Sequence, residues 1–100
     1  MFGTIWYRTK VLRILRESFG YEPAVPGWQS KVFNDVTKHA KKQGGNEYDG
    51  AIVFMIVQIE ALKDSEDLEV IEWKSRMSSI VSSLMPMSRF GNDLIENHPH

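Results

Sequence analysis

Apolar residues recur at helical spacing in four separate stretches of this chain, with polar and charged residues filling the positions between them. In the first stretch, Ile5, Tyr7, Val11, Leu12, Ile14, Leu15 and Phe19 fall on one broad face at 100° per residue. Thr9, Lys10, Arg13, Arg16 and Glu17 fall opposite, and Trp6 falls among them, the misfit of the pattern. Thr4 is the expected N-cap and Gly20 the expected stop. After a turn marked by Pro23 and Pro26-Gly27, a second helix is expected from about Trp28 to Lys42. Its apolar face carries Trp28, Val32, Phe33, Val36, His39 and Ala40, its polar face Lys31, Asn34, Asp35, Lys38, Lys41 and Lys42. Lysines in its last turn suit the helix dipole, and Gly44-Gly45 ends it.

The third stretch reads two ways. The run Ala51-Ile52-Val53-Phe54-Met55-Ile56-Val57 is rich in β-branched residues and fits a buried strand. Its continuation through Gln58 to Lys63 outlasts an ordinary strand, and Ile52, Met55, Ile56, Ile59 and Leu62 align at helical spacing. Asn46 stands where an N-cap would, followed by Glu47 and Asp49 in the first turn. Helix is the preferred reading, although Gly50 costs it ~1 kcal/mol. A fourth helix is expected after a cap at Asp64 or Ser65, with Glu66 and Asp67 in its first turn. Val70, Trp73, Met77, Ile80, Val81 and Leu84 form its apolar stripe, and Pro86 predicts a break near Met85. Phe90, Leu94 and Ile95 then suit a short docking turn. The expectation is all-α: a compact bundle of about four helices forming one domain over 1–95, with a flexible tail over 96–100. The alternative is α+β, with 51–58 as a buried strand.

Composition bounds this picture without sharpening it. The chain has 100 residues, 42% of them hydrophobic and 25% charged, the profile of one ordinary globular domain. It has no Cys, which removes disulfides, thiolate metal sites and thiol nucleophiles. No stretch approaches the ~20 apolar residues of a membrane span. The first residues do not read as a signal peptide, so a cytoplasmic location is expected.

Charge is unevenly distributed. Residues 1–45 carry eight bases and three acids, a balance of +5, whereas residues 46–100 carry four and ten, a balance of −6. Opposite halves can neutralise each other within one fold or across a head-to-tail pair, and a basic face can meet a polyanion.

Candidate chemistry is sparse. His98 and His100 sit in the tail and do not make up the three or four positioned ligands of a zinc site. His39, on the apolar face of its helix, reads as a buried structural histidine. Glu66, Asp67, Glu69 and Glu72 project to water, and Ser75, Ser78, Ser79, Ser82 and Ser83 lack a partner base. Gly44-Gly45 precedes acids that would repel a phosphate. No catalytic residue, cofactor site or metal site is expected, and the chain reads as a non-enzymatic protein.

Two surfaces are expected to act. The third stretch is apolar nearly all round, more than a small bundle can cover on every side, and Met-rich aromatic surfaces are frequent at interfaces. A regulatory protein-interaction module follows, self-associating as a homodimer and binding a protein partner through Trp6, Phe54, Val57, Trp73 and Met85. The alternative is a nucleic-acid binder using Lys10, Arg13, Lys31, Lys38, Lys41 and Lys42 beside the aromatic Trp6. The pI of about 6.3 and the interruptions at Glu17 and Asp35 count against it.

Overall fold

The computed structural model describes residues 2–21 and 27–91 of the chain. Four α-helices follow one another: α1 (Phe2–Phe19), α2 (Trp28–Lys42), α3 (Glu47–Ala61) and α4 (Leu68–Leu84). A 3-10 turn, Met85–Met87, continues from α4, and residues 89–91 return to helical conformation. The protein is all-α, and the described residues contain no strand. The turn at Pro23 and Pro26, the side chains of Phe2 and Trp28, the residues Leu94 and Ile95 and the tail with His98 and His100 lie outside the described part.

The third stretch forms a helix because its cap is strong. The Asn46 side chain accepts hydrogen bonds from Tyr48 N and Asp49 N, at 3.0 and 3.1 Å, while Asp49 reaches back to Asn46 N at 2.7 Å. This capping box satisfies donors that a helix start otherwise leaves open. Two other helix starts differ from expectation. α1 begins at Phe2, which places Thr4 inside its first turn rather than at its cap. α4 begins at Leu68 and is capped by Asp67, whose carboxylate accepts from Glu69 N at 2.9 Å, so neither Asp64 nor Ser65 has that role. Ser65 acts earlier, accepting from Asp67 N, and thereby shapes the approach.

α3 is apolar almost all round because it is the central element, packed against α1, α2 and α4. Ala51, Ile52, Phe54 and Met55 are buried within the chain's own core, along with Val11, Leu15, Phe33 and Met77. Phe54 lies between Tyr21, 4.9 Å away by ring centroids, and Phe33, edge-on at 5.5 Å. At Gly50 side chains of α1 press against the backbone of α3: a Cβ there would stand 2.7 Å from Val11 Cγ2 and 3.0 Å from the Tyr7 hydroxyl. The glycine that weakens α3 as an isolated helix is what lets α1 seat on it.

One core position is polar. Gln58 is fully buried on α3, and neither its amide nitrogen nor its amide oxygen has a hydrogen-bond partner among the described residues. A buried amide without partners costs roughly 1–3 kcal/mol, so the shape-conserving change Gln58→Met should stabilise the fold by about that amount. Urea denaturation would read this as a higher midpoint with an unchanged slope, and a lower midpoint would show that the amide is satisfied in solution.

Candidate interaction surfaces

One end of the bundle is held together by polar contacts around Asp49. The Tyr7 hydroxyl of α1 donates to the Asn46 carbonyl in the α2–α3 turn. Asn46 Nδ2 donates to the Met87 carbonyl at 3.1 Å, and Arg89 Nη1 donates to the Gly44 carbonyl at 2.7 Å. Asp49 itself is buried and accepts from Arg89 N and Phe90 N, at 3.0 and 3.1 Å. Ser88 Oγ accepts from Gly91 N at 2.7 Å, completing the cap of this last helical turn. One carboxylate thus serves the starts of two helices, and the same end of the bundle carries the exposed Met87 and Phe90.

Burial beside the Asp49 charge also acts on Tyr7. Removal from water first, and the neighbouring carboxylate second, push its phenol up to about 12 from its ordinary 10. A phenol that holds its proton more tightly when folded leaves stability intact below pH 10, where both states are protonated. Above pH 10 the unfolded chain ionises first, and the fold loses about 2–3 kcal/mol as pH rises to 12. Denaturant titrations across that range should show this loss, and it should shrink in Tyr7→Phe. An equal loss in both proteins would assign it to other groups.

The expected interface residues do not form one surface. Trp6 is 67% exposed on the outer arc of α1 that it shares with Lys10 and Arg13. Phe54 is only 1% exposed, which removes it from any docking face: the helix that carries it is surrounded by its own chain. Val57, Trp73 and Met85 are half-buried. Trp73 packs its ring 5.2 Å from Phe19, over which the Arg76 guanidinium also lies, at 5.0 Å. Met85 leans on the core. His39 is exposed, not buried, because α2 turns Phe33, Thr37 and Ala40 inward and leaves His39 at the edge of that face.

Ile5 and Ile56, expected on the apolar faces of their helices, stand outside, as do Leu68 and Ile71, which the pattern leaves out. Leu68 and Ile71 escaped notice because the apolar stripe of α4 is complete without them.

The basic residues divide between two helices. Lys10 and Arg13 are exposed on α1, Lys31, Lys38 and Lys42 are exposed on α2, and Lys41 is half-buried. Between α1 and α2 runs an open groove of about 370 Å³ lined by Ile5, Arg8, Asn34, Asp35, Thr37 and Lys38. Its guanidinium is positioned: Arg8 Nη1 donates to Asn34 Oδ1 at 2.9 Å. The Thr37 hydroxyl turns away to the Asn34 carbonyl, at 3.1 Å. Among the described residues, no three of His, Asp or Glu converge to hold a metal ion, and no helix is long and apolar enough to cross a membrane. Compared with protein-family models, with curated proteins and with solved structures, the chain finds no match in any of the three.

Proposed function

We propose that this chain is a small non-enzymatic interaction module that self-associates and modulates a protein partner by covering part of its surface. The observation that carries this reading is the exposure of large apolar side chains on a bundle whose core is already filled, above all Trp6 at 67% and Leu68 at 80%. Exposed aromatic side chains ringed by bases are enriched at protein interfaces, where the ring supplies area and the cations supply orientation. The apolar excess of α3 no longer supports a partner, since α3 is the centre of the bundle and chiefly Ile56 reaches solvent from it. Support comes instead from α1 and from the start of α4. The bases of α1 and α2 are assigned to protein contacts rather than to nucleic acid, because Glu17 and Asp35 interrupt them and would repel phosphate.

Light scattering over a concentration series tests the self-association directly. The mean mass should rise with concentration, and Trp6→Ser should lower the mass at a given concentration without altering the helical circular dichroism signal. A strict monomer at the highest attainable concentration would end this part of the reading.

A further inference from the structure

The two charged halves of the chain cannot neutralise each other within one molecule at the places where they are most concentrated. The groove that holds Arg8 and Lys38 lies near the α2–α3 turn, as Ile5 lines it and the adjacent Tyr7 bonds to Asn46. The strongest acidic stretch lies beyond the opposite end of α3. Between Glu60 and Arg76 stand six acids, Glu60, Asp64, Glu66, Asp67, Glu69 and Glu72, against three bases. Arg8 precedes Phe19 by 11 residues, ~16 Å along α1. α4 meets α1 through Trp73 and Phe19, and Phe19 is the end of α1 remote from Ile5. Lys63 and Glu60 pair with each other at 2.9 Å, within the acidic half, and no ion pair joins the halves among the described residues.

Each place also presents apolar surface. The groove exposes Ile5, 53% open to solvent. The first turns of α4 expose Leu68 and Ile71, three apart and so on neighbouring positions of one face, flanked by the exposed Glu69 and Glu72. Resting on the self-association proposed above, we infer that the α1–α2 groove receives the first turns of α4 from a second copy of this chain. Leu68 and Ile71 lie against Ile5, and Glu69 and Glu72 face Arg8 and Lys38, with the exposed Lys31 and Lys42 of α2 extending the basic side. Asp35, on the groove's rim, lowers the attraction without cancelling it. Because groove and α4 are different surfaces of one molecule, every copy offers both halves of the contact. Two copies side by side and antiparallel can satisfy both at once, and copies joined by one contact each form open chains.

Charge reversal tests the pairing. A groove variant, Arg8→Glu with Lys38→Glu, and an α4 variant, Glu69→Lys with Glu72→Lys, alter only exposed side chains and should retain the helical circular dichroism signal. Each alone should weaken self-association by about tenfold or more, since like charges then face each other. Mixed in equal amounts, the two variants should recover association with each other, as each groove again meets an α4 of opposite sign. The unaltered chain should dissociate progressively as salt is raised, a measurement that needs no variant. Association that is indifferent to salt and to both reversals would overturn this contact while leaving self-association standing. A chain that stays monomeric throughout would overturn both.

Discussion

Asp49→Ala is expected to destabilise the fold by about 3–5 kcal/mol, a large share of the ~5–15 kcal/mol that holds a domain of this size together. The carboxylate accepts from three backbone N–H groups, those of Asn46, Arg89 and Phe90, and all three lose their partner together. Alanine offers no acceptor, and Asp49 is 3% exposed, so water has little access to replace it. Two helix starts are weakened by one change: the capping box of α3 keeps only its Asn46 half, and residues 89–91 keep only Ser88. Chemical denaturation gives the magnitude. Amide exchange gives the location, with the Arg89 and Phe90 amides losing protection before those of α1 do. Asp49→Asn, which retains one acceptor oxygen, should fall between the alanine variant and the parent. A variant within about 0.5 kcal/mol of the parent would mean that these three hydrogen bonds are replaced at no cost.

Phe54→Ala should cost about 3–5 kcal/mol as well, for a different reason. The ring fills the space between Tyr21 and Phe33 at the centre of the bundle, and alanine leaves a cavity that neighbours on three other helical faces cannot close. The same substitution should leave self-association of the folded fraction unchanged, because Phe54 touches no outer surface. Trp6→Ser is the converse: small in stability, since the residue is already 67% exposed, and large in association. Measuring both quantities for both variants separates core from contact surface. Should Phe54→Ala keep full stability yet abolish association, the placement of α3 at the centre of the bundle would be wrong.

Local signals marked the helices well where the controlling residues are close in sequence. The Asn46 cap, the lysines closing α2 and the break before Pro86 all depend on residues within a few positions of one another, so the chain announces them without knowledge of the fold. The cap of α4 differs from expectation because Asp64, Ser65 and Asp67 are all competent by residue type, and the structure gives the role to Asp67. Trp6 was legible as an exposed ring because it breaks the pattern of its own helix. Phe54 was misassigned to an interface for the opposite reason: an all-round apolar helix looks the same whether other helices or another chain surround it.

By itself the amino-acid order determined the four main elements and the unequal charge of the two halves, since each is a property of spacing or of composition, and it favoured a helix over a strand for the third. Tertiary structure alone decided which helix is central, why Gly50 is tolerated there, and that one carboxylate serves Asn46, Arg89 and Phe90. It also set the basic groove apart from the acidic start of α4, the groove towards the start of α1 and α4 against its end at Phe19. These features join residues about 40 positions apart or place them on opposite ends, and periodicity along a chain carries no information about such distances.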